Sequence, residues 1–350
     1  MLLFTIVSFP LCGRWKVAKI QFFCIFAAVF RKLELLMKKL CTWILLAFCL
    51  LMSGCQREID MKLPDYQSKL VIEGTIETGT PAMVMLSKSI PYFSEINVGT
   101  LMNDVLVNGS EARVFVTSET GETEELLWQL NPEAPYYVAF MGKTVIGKEQ
   151  THYTLTVEYD GQTYTAETYI PKTFDLDSIG FDQSSDLLDD TMATIRVQLS
   201  DNPDEVNYYA FFTKVHSPKL TDRLWVCNLP VAFDDRTFNG LSFNYEISRY
   251  GYSILMRDML SEEDRENFRR ITFRPGDTVY VKHTQIDHDT YLYLLSAGSE
   301  AVFGSNPFTN PLPAVSNFNS DKVLGHWSGY AAKTDTLIWW YDEELRRRIR

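Results

Sequence analysis

The sequence predicts a mainly β protein. We expect an N-terminal antiparallel β-sandwich of the immunoglobulin or prealbumin type, followed by a second β-rich domain with one or two short helices. Short runs rich in β-branched and aromatic residues alternate with polar residues, as half-buried strands require. Turn residues recur about every 8–12 residues in the first half, which is typical of a sandwich. One hairpin signal is clear enough to predict a register.

That hairpin is centred on Asp160 and Gly161, which separate two alternating runs. An Asp-Gly pair in this setting is typical of a two-residue type I′ turn, because both turn residues need positive φ. The turn pairs Val157 with Tyr164, and the adjacent pair is polar. Apolar and polar pairs therefore fall on opposite faces, as a sheet with one buried face requires.

The remaining strands of the first half follow the same reasoning. We predict them at Lys69–Glu77, Ala82–Ser87, Ala112–Ser118 and Thr123–Trp128. Pro171 and Lys172 interrupt the pattern. We therefore place the sandwich domain at residues 63–171 and the second β-rich domain at residues 175–341.

The second half contains less regular strands and one clear helix. Its predicted strands are Thr194–Leu199, Tyr208–Phe212, Thr278–Ile286, Lys322–Ala331 and Thr336–Trp340. After Asp287, apolar residues recur with helical spacing from Tyr291 to Val302, so Asp287 is the expected N-cap. Ser261 is a second possible helix start, because acidic residues follow it.

The first 54 residues have the features of an export leader. A bacterial signal begins at Met37, with two lysines, an apolar run and small residues at its exit. This segment is too short to span a membrane. We predict that residues 1–36 are an over-extended gene start and that residues 37–54 are a lipoprotein signal peptide. The alternative is an ordinary secretory signal followed by a chance cysteine.

The exit of the leader resembles a lipobox, with Met52, Ser53 and Gly54 before Cys55. At such a motif a lipoprotein signal peptidase cleaves before a diacylated cysteine, so Cys55 is the predicted lipidation site. Several acyl chains hold a protein stably on a membrane, whereas one chain is marginal.

Charged segments lie at both ends of the expected exported chain. Residues 55–62 form a predicted tether, in which Glu58 and Asp60 are either a surface-export signal or simply solvated. Residues 342–350 form a basic tail.

Charge and cysteine content further restrict the function. The leader carries seven of the 33 Lys and Arg residues and one of the 45 acidic residues, so the formal net charge of the rest is −18. Nucleic acids and anionic lipids attract positive fields, so neither is an expected partner. Besides Cys55, the rest contains a single cysteine, Cys227, and an intrachain disulfide is therefore not expected.

Several motifs together resemble those of a known family. They are Leu63-Pro64-Asp65-Tyr66, Leu70 to Gly74, Tyr153 to Val157, Asp160 to Tyr164, Asn306-Pro307-Phe308 and Val323 to Trp327. In this order and spacing they resemble the DUF4249 family of Bacteroidetes envelope lipoproteins. The resemblance implies an envelope lipoprotein of a kind commonly encoded near TonB-dependent outer-membrane transporters. It implies no catalytic residues and names no substrate.

No catalytic constellation is evident in the sequence. His283, Asp287, His288 and Asp289 are donor types that zinc takes, but the two acids also suit the cap and first turn of a helix. We therefore predict no catalytic residue, no metal and no cofactor. Aromatic residues concentrated between residues 225 and 252 could stack on sugars or anchor an interface, and we interpret most of them as core.

A loop between prolines is the predicted partner-binding segment. It contains Asn306, Phe308 and Asn310, and its prolines cannot continue the preceding helix. Phe308 is expected to point outward from this loop.

Together these features predict an outer-membrane protein anchored by lipid on Cys55, on the periplasmic or cell-surface face. The expected role is a non-enzymatic accessory or ligand-capture partner of a TonB-dependent nutrient transporter. Two alternatives remain: a free-standing surface lipoprotein that binds glycan or peptide, and a structural subunit of the envelope or an appendage.

Overall fold

The computed structural model describes residues 37–40, 43, 67–91, 94, 97–183, 192–217, 221–249, 272–303 and 314–339. Two compact units divide the chain at residues 65 and 66. The described residues of the first unit, 37–40 and 43, are helical. The strands among the described residues all belong to the second unit.

Strands dominate the second unit, as the sequence predicted. In the first half they are β1 (Leu70–Glu77), β2 (Pro81–Lys88), β3 (Ala112–Ser118), β4 (Thr123–Leu130), β5 (Val138–Ile146), β6 (Thr151–Tyr159) and β7 (Gln162–Ile170). A short helix, Val98–Thr100, and a π-helical turn, Leu101–Val105, lie between β2 and β3.

The second half contains both strands and the long helix. Its elements are β8 (Ser178–Asp182), β9 (Thr194–Ser200), β10 (Tyr208–His216), β11 (Val226–Cys227), β12 (Phe233–Asp234), β13 (Ser242–Ile247), β14 (Thr278–Ile286), α1 (His288–Phe303) and β15 (Val323–Ile338). The predicted helix start at Ser261 lies outside the described residues.

Two sheets contain these strands. The larger runs β11-β10-β14-β15-β1-β2-β5-β4-β3-β6-β7, with β12 also on β10, and the smaller runs β13-β9-β8. The neighbouring strands of the first half are all antiparallel. β1 and β15 are parallel, which makes the larger sheet mixed.

The predicted hairpin register is confirmed. Val157 pairs with Tyr164, and the neighbouring pairs of β6 and β7 follow the same offset. Asp160 has φ 48° and Gly161 has φ 68°, as a type I′ turn requires. Val157 is buried whereas Glu158 is exposed, so one face of the hairpin packs on the core.

β15 corrects the prediction of two separate C-terminal strands. A single strand spans residues 323–338 and pairs with β1 over its first half and with β14 over its second. Between the two predicted strands, Lys333, Thr334 and Asp335 each face a residue of β14. Pairing with a distant strand therefore overrides the local pattern.

Two main hydrophobic clusters lie in the second unit. The first joins β1–β7 to the first half of β15 and centres on Ile72, Leu155 and Trp327. The second joins β9, β10, β13 and β14. Residues on both sides of the predicted boundary at 171–175 contribute to the first core, and the larger sheet also crosses it. The division into two domains stays a prediction.

A close backbone contact joins β1 to β15. Gly325 has φ +99°, and a Cβ built there would lie 2.0 Å from the carbonyl oxygen of Ile72. Only glycine allows this approach together with this φ. Trp327 lies two residues further along β15 and buries its ring in the first core against Gly74, where its Nε1 donates to the carbonyl of Tyr153.

The edge of β7 is covered by side chains from the second half. Asp287 Oδ2 accepts a bond from the backbone N–H of Tyr169, and Asn319 exchanges hydrogen bonds with the backbone of Thr165. Asp287 Oδ1 also accepts from the N–H of Thr290 at 2.8 Å, which confirms its predicted role as the N-cap of α1. These contacts protect an edge that could otherwise pair with another strand.

Candidate functional site

The site residues predicted from motifs lie outside the part of the chain that the structure describes. These are the lipobox and lipidation residues Met52, Ser53, Gly54 and Cys55, the tether residues Glu58 and Asp60, and the loop residues Asn306, Phe308 and Asn310. Their roles stay predictions.

The histidines and acids around Asp287 take separate structural roles. The Nε2 atom of His283 is buried and lies 3.1 Å from Asp335. His288 packs beside Tyr208 with ring centroids 5.4 Å apart, and Asp287 is occupied as a cap. Among the described residues, no group of three or more His, Cys, Asp or Glu side chains could hold a metal ion.

A cleft of ≈ 430 Å³ opens beside Trp225, between the two halves of the second unit. We call it the Trp225 cleft. Its lining includes Glu133, Lys214, His216, Asp222, Trp225 and Tyr280. Glu133 comes from the β4–β5 turn, whereas β10, the segment after it and β14 supply the others. Pockets of this kind, with aromatic walls and a few polar groups, are usual ligand sites.

Two lysines approach the indole ring of Trp225. Lys282 Nζ lies 4.3 Å from the ring centroid, and Lys214 Nζ lies 6.0 Å from it. Lys282 is itself held by both carboxylate oxygens of Glu77, at 2.7 and 2.9 Å. Cation–π attraction and this ion pair fix the half-buried indole at the cleft wall.

The opposite wall is the turn between β4 and β5. Arg223 donates to the backbone carbonyls of Pro132, Ala134 and Pro135. Its guanidinium also lies 4.1 Å from the ring centroid of Tyr137. One side chain of the second half therefore positions a turn of the first half, the turn that supplies Glu133.

An ion pair joins the two walls. Lys214 Nζ lies 2.7 Å from Oε1 of Glu133, whose side chain is 64% exposed. Surface pairs of this kind contribute little to stability. Both groups line the cleft while remaining paired with each other.

β10 and the segment after it supply further polar residues of the lining. Asp222 accepts a hydrogen bond from the backbone N–H of Val215 and lies 3.4 Å from Arg249. The hydroxyl of Thr221 lies 3.2 Å from Nδ1 of His216, and both residues are exposed. The cleft thus offers donors and acceptors in pairs that are already neutralised.

A second, more open depression of ≈ 410 Å³ lies beside β12 and β13. Phe233, Phe238, Phe243 and Tyr245 line it, and their rings also pack on the second core. This confirms the core interpretation for these aromatic residues. Trp225 departs from it, because its ring lines the cleft rather than the core.

No local pattern in the sequence identifies the Trp225 cleft. The residues that form it come from separate parts of the chain: Glu77, Glu133, the segment with Lys214 and Asp222, and Lys282.

The described part of the chain contains no helix that is both long and apolar enough to cross a membrane.

Fold and site define a mainly β protein with an aromatic, charge-paired cleft between two halves of one compact unit. The chain belongs to the family described as "Domain of unknown function (DUF4249)", whose model matches residues 56–336. A search of curated proteins gave no match.

Proposed function

We propose that this protein is a lipid-anchored, non-enzymatic ligand-capture partner of a TonB-dependent outer-membrane transporter. The observation that carries the proposal is the Trp225 cleft, in which a fixed indole and exposed polar groups face the same space. Such an arrangement suits reversible binding. The predicted anchor at Cys55 would hold the cleft near the membrane surface.

The transporter is proposed as the partner because of the family. The family model matches residues 56–336 of the chain. The resemblance to envelope lipoproteins implies that the gene lies near one that encodes a TonB-dependent transporter. A captured molecule would then have a route across the outer membrane. A free-standing surface binder would use the same cleft without a transporter, and it is the second candidate.

A structural appendage subunit is the third candidate. A subunit that adds strands to its neighbours needs a free sheet edge. The β7 edge of the larger sheet is covered by Asp287 and Asn319, so such assembly would have to use β11 of the larger sheet or β13 or β8 of the smaller one.

Co-purification from the native cell tests the partner. The full chain, tagged at its C-terminus, is extracted in mild detergent, and bound proteins are identified by mass spectrometry. We expect a TonB-dependent transporter in the eluate. Recovery of the lipoprotein without any transporter would contradict the proposal.

Cys55→Ala is the matched control for the anchor. Metabolic labelling with an alkyne fatty acid should mark the wild-type protein and not the variant. The variant should also leave the membrane fraction. Labelling that persists in Cys55→Ala would overturn the predicted lipidation site.

A further inference from the structure

We propose that the Trp225 cleft binds a neutral saccharide, with Trp225 as the stacking surface. This inference deepens the proposed ligand-capture function and rests on it for its biological role. The binding chemistry itself is argued from the contacts in the cleft.

Trp225 is supported by a largely buried ion pair. Lys282 is 8% exposed and its partner Glu77 is 25% exposed, so the pair is largely withdrawn from water. Buried ion pairs often give no more stability than apolar residues of similar volume. A pair that also places an ammonium 4.3 Å from the centroid of the Trp225 ring has a second role, which is to hold the indole in one position.

The charged groups in and beside the cleft already have partners of opposite charge within the protein. Lys214 is paired with Glu133 and Lys282 with Glu77, while Arg249 lies between Asp222 and Asp277 and pairs with both. An ionic ligand would have to compete with these internal partners. A neutral molecule gains hydrogen bonds without breaking any of the pairs.

The cleft lining contains both hydrogen-bond donors and hydrogen-bond acceptors. A sugar hydroxyl both donates and accepts, and the cleft presents both kinds of partner. The ammonium of Lys214 donates, the exposed carboxylate of Glu133 accepts, and Thr221 and His216 add exposed polar atoms. Paired groups of opposite type suit the alternating hydroxyls of a pyranose.

The cleft has a second aromatic residue. Tyr280, which is 36% exposed, lines the same cleft as Trp225. The C–H faces of a pyranose ring pack against aromatic rings, and a large aromatic surface adds affinity at low entropic cost. Two aromatic side chains in a cleft of ≈ 430 Å³ provide room for a short oligosaccharide.

Affinity gel electrophoresis of the full chain in mild detergent tests this inference. The gels contain neutral polysaccharides, namely starch, β-glucan, mannan, galactan and xylan, or the anionic polymers alginate and polygalacturonate. We expect retardation by at least one neutral polymer and none by the anionic polymers. Absence of retardation by every neutral polymer, or retardation by the anionic polymers alone, overturns the inference.

Variants locate the site. Trp225→Ala should weaken binding at least 10-fold, and Tyr280→Ala should weaken it several-fold. Trp128→Ala is the matched control, since Trp128 is a partly exposed tryptophan in β4 that does not line the cleft. Binding that survives both cleft substitutions, or that is lost equally in Trp128→Ala, overturns the assignment. Circular dichroism checks that each variant is folded. If Trp225→Ala does not fold, Tyr280→Ala still tests the site.

Failure here and failure of the proposed partnership are separate results. A chain that recovers a transporter but is not retarded by any neutral polymer overturns the saccharide site alone. A chain that binds saccharide but recovers no transporter overturns the partnership and supports the free-standing binder.

Discussion

The Nζ atom of Lys282 lies 2.7 and 2.9 Å from the two carboxylate oxygens of Glu77, although 205 positions separate these residues in the chain. Glu77 ends β1 and Lys282 lies in β14, and β15 runs between these strands in the sheet. The pair therefore ties the first strand of the fold to one of its last, and its ammonium lies 4.3 Å from the centroid of the Trp225 ring.

Breaking this pair should destabilise the protein. Glu77→Gln leaves the Lys282 ammonium mostly buried beside a neutral amide, and we expect a loss of about 3 kcal/mol in the free energy of unfolding. The double variant Glu77→Gln/Lys282→Met should recover more than half of this loss, because the unpaired charge is gone. Urea denaturation measures both values. A double variant no more stable than Glu77→Gln would contradict this account.

Lys333→Met is the matched control for that experiment. It breaks an ion pair with Asp175 on the surface, where both side chains are well exposed. Its effect on unfolding should be clearly smaller than that of Glu77→Gln.

Glu124 should make stability depend on pH. Its carboxylate accepts hydrogen bonds from three consecutive backbone N–H groups, those of Lys143, Thr144 and Val145. Partial burial opposes ionisation, but these donors prevail and hold the pKa of Glu124 below its usual value of 4.5. The stabilisation is therefore present above pH 4.5 and is lost as the pH falls through the lowered pKa.

Glu124→Gln tests this expectation. At neutral pH the variant should lose about 1–3 kcal/mol of unfolding free energy, and the difference from wild type should shrink below pH 4.5. Glu125→Gln is the adjacent control, since Glu125 pairs with Arg113 on the exposed face, and its effect should be smaller. A difference that stays constant down to pH 3 would rule out the linkage.

His326 should also make the protein less stable as the pH falls, but for a different physical reason. Its imidazole is 1% exposed, stacks on Tyr293 at 4.7 Å between ring centroids, and has no partner for Nε2. Burial lowers its pKa from 6.5 to about 4, against the opposing attraction of Asp287 and Asp289. Between these two pKa values the unfolded chain binds a proton at His326 that the folded chain does not bind. The free energy of unfolding therefore falls as the pH drops from 6.5 to 4.

His326→Phe should remove this dependence, because phenylalanine keeps the ring contact and cannot ionise. Wild type should lose up to about 3 kcal/mol more than the variant between pH 7 and pH 4. Denaturant unfolding at several pH values measures the difference, and equal losses in the two proteins would refute the prediction. The imidazole resonances of His326 should also stay those of the neutral form until close to pH 4.

Gly325 should be far more sensitive to substitution than Gly121. Both have positive φ, +99° and +88°, but a Cβ at Gly121 would meet nothing within 4 Å, whereas at Gly325 it would meet the Ile72 carbonyl. Gly121→Ala should cost about 1 kcal/mol and Gly325→Ala about 3 kcal/mol or more in unfolding free energy. Comparable losses would show that the close approach of β1 and β15 does not constrain the residue.

The sequence alone was sufficient for features decided within a few residues of each other. Asp160 and Gly161 determine the turn between β6 and β7, because few other residues adopt positive φ at two consecutive positions. Asp287 caps α1 because an acceptor before an apolar helical pattern satisfies a backbone N–H left free at the helix start. The alternation of buried and exposed residues made the mainly β class predictable.

Only the tertiary structure decided how distant strands meet. The parallel pairing of β1 with β15 joins residues about 250 positions apart, and no local pattern encodes such a contact. The same pairing turns two expected C-terminal strands into one. It also brings Glu77 to Lys282 and thereby creates the support behind Trp225, so the cleft follows from long-range packing rather than from a motif.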